Sequence, residues 1–178
     1  MATSVLILPG YQGSGEMHWQ TLWEKEHADF KRVEQRDWEH PICQEWVEKL
    51  EKSVKQAGQD VIIVAHSIGC LVLAHWAASQ NHTRIKGALI VAPPDPTTSS
   101  FPRIAEGFEQ TPLLSFGFPS IIIASSNDPY GSLTYAQDLA KAWGSHFVNI
   151  GEKGHINTAS NLGLWEEGLV YLKQLQRE

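Results

Sequence analysis

The sequence predicts an α/β protein: a compact three-layer α/β/α sandwich on about six mostly parallel strands, with no large cap. Short, nearly continuous apolar runs recur along the chain, and each is followed by a segment with helical spacing. Runs without polar alternation are what strands covered on both faces require. Length supports the same reading, because 178 residues with 42% hydrophobic content suit one domain, residues 1–178, around a substantial core.

Val5 to Leu8 is the first strand, closed by Pro9-Gly10 and a glycine-rich loop through Gly15. Met17 to His27 has helical spacing, with Trp19, Leu22 and Trp23 on one side, and Phe30 to Val33 is a short second strand. A polar loop, Glu34 to Pro41, leads into a helix from Cys43 to Gln56 whose apolar face is Trp46, Val47 and Leu50 and which Gly58 ends. Val61 to Ala65 is the third strand, and Cys70 to Ala77 belongs to the helix after it. A turn at Asn81-His82-Thr83 precedes a fourth strand, Ile85 to Val91.

The prolines of Pro93 to Pro96 exclude helix and predict an exposed loop. With the segment to Phe118, which has room for one helical turn near Ile104 to Phe108, it is the candidate flap over a site. Of its apolar residues Phe101, Phe108, Leu113 and Leu114, most are expected to pack the loop down rather than line a pocket. Ser120 to Ser125 is the fifth strand, Leu133 to Trp143 a helix, His146 to Ile150 the sixth strand, and Leu162 to Leu175 the last helix.

A formal net charge of −6 with no basic run argues against a nucleic-acid partner. Cys43 and Cys70 fall on different helices without metal-ligand or CxxC spacing, which suits a reducing compartment. The apolar run near the N-terminus is too short for a signal or membrane segment and has no basic residues before it, so a cytoplasmic protein is expected.

The chemistry centres on Ala65-His66-Ser67-Ile68-Gly69. A strand, a serine between small residues and a helix form the sharp turn that lifts a nucleophile above a sheet edge, although Ala65 stands where the pattern usually has glycine. Functional groups of a parallel sheet collect beyond the carboxyl ends of its strands, and Asp128 and His155 both follow strands there. The order serine, acid, histidine is that of the α/β-hydrolase triad. In such a triad His155 would take the proton from Ser67, and Asp128 would fix the imidazole tautomer.

Rivals exist for two of these roles. His146 begins its strand, at the opposite edge from Ser67; His66 adjoins the nucleophile but suits a structural or pocket-lining role; Asp95 also follows a strand and is an alternative acid. The backbone N–H of Ile68, with that of Tyr11 and then Gln12 as second choice, would form an oxyanion hole. The glycine-rich loop carries His18 where a dinucleotide fingerprint needs its last glycine, and no H-E-x-x-H is present, so neither cofactor nor metal is expected.

These residues resemble the small serine hydrolases of the retinoblastoma-binding protein 9 and YdeN type, within the α/β-hydrolase superfamily. The resemblance rests on Pro9-Gly10, His18-Trp19, Gln35 with Asp37-Trp38 and Pro41, the elbow at Ser67, Ser126-Asn127-Asp128-Pro129, Gly154-His155-Ile156-Asn157, Gly163 and Trp165. It implies a hydrolase without a large cap, a triad of Ser67, Asp128 and His155, and activity on small esters or amides. It also implies a second reading, a protein-binding factor on the same fold with a latent triad. Acyl transfer to an acceptor other than water would use the same residues.

Overall fold

The computed structural model describes residues 3–79 and 82–177, so Asn81 of the expected turn lies outside the described residues. Six strands form one sheet in the order β2-β1-β3-β4-β5-β6, and every neighbouring pair is parallel. The strands are β1 (Ser4–Leu8), β2 (Phe30–Arg32), β3 (Val61–His66), β4 (Ile85–Val91), β5 (Ser120–Ala124) and β6 (His146–Asn149). Their helices are α1 (Trp19–Glu26), α2 (Cys43–Ala57), α3 (Ile68–Ser79), α4 (Leu133–Trp143) and α5 (Glu166–Arg177).

The period-two alternation of each strand divides the core into two layers. Val5, Ile7, Ile62, Val64, Leu89 and Ile123 face α1 and α5, meeting Trp19, Trp23, Leu172 and Leu175. Leu6, Leu8, Ile63, Ala65, Ile90 and Ile122 face α2, α3 and α4. The central helix α3 is buried on nearly every side, in keeping with its unbroken apolar sequence.

Three local expectations need correction. The helical turn near Ile104 to Phe108 does not form: the Glu106 N–H donates to the Pro41 carbonyl, its own carbonyl accepts from the Cys43 N–H (both 2.9 Å), and Gly107 turns left-handed at φ 81°. Backbone groups that a local turn would use are thus committed to the start of α2. The last helix begins at Glu166 rather than Leu162, because Asn161, Gly163 and Trp165 adopt positive φ (55°, 57° and 39°). On α1, Leu22 is only half-buried and Gln20 takes the buried position, its carboxamide donating to the Val64 carbonyl (3.1 Å) and accepting from Ser14 Oγ (2.7 Å).

The loop between β4 and β5 carries no helix among the described residues. Phe101 and Phe108 pack into the core as expected, whereas Leu113 and Leu114 are exposed.

The order of strands reverses at β1, whose neighbours are β2 on one side and β3 on the other. The chain leaves β1 towards α1 on one face and leaves β3 towards α3 on the other, which opens a crevice between the two exits. Gly69 sits at its base. A β-carbon there would lie 2.3 Å from the Leu8 carbonyl oxygen, so α3 meets the end of β1 only because residue 69 lacks a side chain.

Gly69→Ala is therefore expected to destabilise the fold by about 3 kcal/mol, as overpacking against backbone does. Gly15→Ala, where nothing lies within 4 Å of the added carbon, should leave stability within about 0.5 kcal/mol. Urea denaturation of both variants checks the contrast.

Candidate active site

Ser67 follows β3 directly and adopts φ 54°, a left-handed conformation unusual for a residue with a side chain. Two backbone hydrogen bonds hold it there: its N–H donates to the Val91 carbonyl (3.0 Å), and its carbonyl accepts from the Cys70 N–H (2.8 Å). Gly10 packs beneath, where a β-carbon would come within 2.8 Å of the Ser67 Cβ. Ala65 causes no difficulty, because its methyl group is buried in the core on the α2, α3 and α4 face.

Asp128 lies beyond β5 and His155 beyond β6. The structure brings both to Ser67. Ser67 Oγ is 2.8 Å from His155 Nε2, and His155 Nδ1 is 3.0 and 2.9 Å from the two carboxylate oxygens of Asp128. Nδ1–H donating to the carboxylate leaves Nε2 to accept from the hydroxyl. The Asp128 and His155 side chains are 3% and 9% exposed, which shields their pairing from solvent. Asp128 Oδ1 also accepts from the Tyr130 N–H (2.9 Å), and the Tyr130 ring lies 4.6 Å from that of His155.

The rivals lie elsewhere. Asp95 Oδ1 caps its own turn by accepting from the Thr97 N–H and hydroxyl, and His146 is exposed at the opposite edge of the sheet. His66 is buried and donates from Nε2 to the His155 carbonyl (2.9 Å), a structural contact to the backbone of His155 rather than to the Ser67 hydroxyl.

The Ile68 N–H opens α3 and so has no acceptor within the helix. The Tyr11 N–H likewise has no acceptor among the described residues, whereas that of Gln12 donates to the Trp38 carbonyl (3.0 Å), which removes the second choice. Tyr11, Ile68, Ser67 and His155 all line one cavity of about 710 Å³.

Several supports were not read from the sequence as functional. Asn127 Oδ1 accepts from the Gly154 N–H (2.6 Å) and the Ser125 hydroxyl (2.9 Å), which ties the loop bearing Asp128 to the loop bearing His155. Trp19 Nε1–H donates to the Ile156 carbonyl (2.8 Å), and Trp23 Nε1–H donates to the Leu164 carbonyl (2.6 Å). A tryptophan's helical spacing shows that it is buried but not which loop its indole N–H will hold.

His18 also adjoins the site. Its Nδ1 caps α1 by accepting from the Gln20 N–H (3.2 Å), and Nε2, which then carries the proton, is buried without a partner among the described residues. Its ring is 4.7 Å from that of His66, which in turn is 5.0 Å from that of His155. Burial lowers the His18 pKa to about 3, with the charges of Arg32 and His155 acting in the same direction. Burial likewise holds His66 neutral.

With this geometry in view, the family model for serine hydrolases matches residues 5–174. The chain belongs to the serine hydrolase family. YdeN of Bacillus subtilis (strain 168) is 24% identical over 165 residues, covering 87% of this chain and 86% of its own. The crystal structure of a YdeN-like protein from Pectobacterium atrosepticum matches with a TM-score of 0.86 at 31% identity, covering 98% of this chain and 91% of that one. The structure of the ydeN gene product from B. subtilis matches with a TM-score of 0.78 at 19% identity, covering 99% of this chain and 100% of that one. The fold is that of the α/β-hydrolases, and family membership makes the protein a hydrolase.

The neutral His18 makes stability pH-dependent. Unfolding returns it to the ordinary histidine range near 6.5, so between pH 6.5 and 3 the unfolded chain binds the extra proton and stability falls as pH falls. Its share of the loss from pH 6.5 to 4.5 is expected to be about 2 kcal/mol. Denaturant titrations at the two pH values should show a smaller loss in His18→Asn than in the wild type.

Proposed function

We propose that the protein hydrolyses small carboxylic esters, with thioesters and amides as related substrates, through an acyl-enzyme formed on Ser67. The observation that carries this reading is the continuous line from the Ser67 hydroxyl through His155 to the carboxylate of Asp128, opening on a cavity at the switch point of the sheet. Serine hydrolase family membership supports it.

The steps follow from the donors and acceptors. Ser67 Oγ attacks the substrate carbonyl carbon while His155 Nε2 takes its proton, and Asp128 stabilises the imidazolium that results. The tetrahedral oxyanion is received by the N–H groups of Ile68 and Tyr11, with the N-terminus of α3 adding a favourable dipole. His155 Nε2–H then gives its proton to the departing alkoxide as the carbon–oxygen bond breaks, which leaves an acyl group on Ser67. Water, deprotonated by the same nitrogen, attacks the acyl carbonyl. Collapse of that second intermediate returns the proton to Ser67 Oγ and releases the acid.

No chemical step in this sequence calls for a redox group, and the residues around Ser67 supply the nucleophile, the base and the oxyanion donors. The expected occupant of the cavity is a small-molecule ester.

A fluorophosphonate probe should label the wild-type protein at Ser67 and leave Ser67→Ala unlabelled. With p-nitrophenyl acetate, Ser67→Ala should lose on the order of 10⁶ in kcat, and Asp128→Asn, which admits the wrong tautomer, about 10⁴. Equal turnover by Ser67→Ala would defeat the reading.

A further inference from the structure

The cavity beside Ser67 has an uneven charge distribution. Its walls are largely neutral: the polar side chains of Gln12, Ser100, Asn157 and Thr158 share them with apolar groups such as Pro94 and Ile104. Arg103 is the one lysine, arginine or carboxylate residue among those lining it, and burial holds the imidazoles of His18 and His66 neutral. Asp128, whose carboxylate pairs with His155, is buried behind that ring and does not line the space. Glu39 does not line the space but is engaged by two residues that do: Gln12 Nε2 donates to it (3.5 Å), and the Tyr11 hydroxyl pairs with it.

Arg103 is exposed and makes no ion pair or hydrogen bond among the described residues. Its backbone is nonetheless fixed. The Ala105 N–H donates to the Pro102 carbonyl (3.0 Å), Phe101 and Ala105 on either side are buried, and Glu106 is clamped to the start of α2. Arg103 thus stands at the cavity on a fixed stretch of backbone, and its five guanidinium donors have no partner among the described residues. Because the protein's net charge of −6 gives an incoming anion no overall attraction, recognition of an anion must come from a local cation.

We propose that the substrate carries a carboxylate remote from the scissile carbonyl and that Arg103 receives it. This rests on the reading of Ser67 as the nucleophile of an esterase. Guanidinium and carboxylate match as two parallel N–H to oxygen bonds, a geometry that selects a planar anion over a neutral ester of the same shape. A cavity so lined disfavours long unbranched acyl chains, whose apolar surface would meet polar side chains and a charge.

The test compares two matched pairs of esters: mono-p-nitrophenyl adipate with its methyl ester, and 4-acetoxybenzoate with its methyl ester. One pair carries the charge on the acyl side and the other on the leaving group. The readout is the ratio of kcat/KM for the anionic ester to that for the neutral one, in wild type relative to Arg103→Gln, which cancels intrinsic reactivity. In at least one pair that relative ratio is expected on the order of tenfold, expressed mainly in KM and shrinking as salt is added. Arg103→Lys should keep part of the preference, and Arg103→Glu should reverse it.

Ratios unchanged by Arg103→Gln in both pairs would overturn the inference while leaving the esterase reading intact. If the wild type turns over none of the four esters and a fluorophosphonate does not label Ser67, the esterase reading fails and this inference fails with it.

Discussion

Everything at the candidate site depends on how closely two exits of the sheet approach each other. The end of β1 and the start of α3 are in contact at Leu8 and Gly69, and Gly10 lies against the Ser67 Cβ and the Ile68 nitrogen. That contact fixes the elbow from below. A left-handed, non-glycine residue costs about 1–2 kcal/mol, so Ser67 needs surroundings that leave it no easier conformation. The Val91 carbonyl on one side and α3 on the other supply that restraint. The same packing that strains Ser67 also sets Tyr11 and Ile68, whose N–H groups have no backbone acceptor among the described residues, on the shared cavity.

A second constraint acts on the loops. Asp128 and His155 are carried by segments beyond β5 and β6, where backbone is irregular and has no sheet ladder to hold it. Side chains supply the missing order. Asn127 joins the two loops, His66 holds the His155 carbonyl, and the indoles of Trp19 and Trp23 reach from α1 to the segment that follows His155. A net hydrogen bond contributes only about 1 kcal/mol, but losing one partner leaves a buried group unsatisfied at greater cost. The network therefore acts more by excluding other loop positions than by adding stability.

This division explains what was legible in the sequence. Strands such as Ile85–Val91 and helices such as Leu133–Trp143 were readable to the residue, because local apolar pattern and turn chemistry determine them. That Ser67, Asp128 and His155 meet at one sheet edge was readable, because chain order and strand position place them there without knowledge of side-chain packing. The start of α5, the segment at Ile104 to Phe108 and the burial of Gln20 were not readable. Each is decided by a distant partner: left-handed residues ahead of Glu166, the start of α2 for Glu106, and the Val64 carbonyl for Gln20. The value of Ala65 in place of glycine was equally hidden, since only packing shows that the core has room for its methyl group.

The run of imidazoles beside Ser67 follows from the same physics. In a triad, the working histidine must accept a proton near neutral pH while its neighbours remain uncharged, because a second cation nearby would oppose the imidazolium. His18 and His66 lie in a line of ring contacts leading to His155, yet burial keeps both neutral, and the His155 charge itself opposes protonation of each. Their nitrogens are used as neutral groups, one capping a helix and one donating to a carbonyl. His155 differs because it alone of these rings faces a carboxylate, that of Asp128. One residue type thus serves as cap, strut and candidate base, and the partner of each ring decides which.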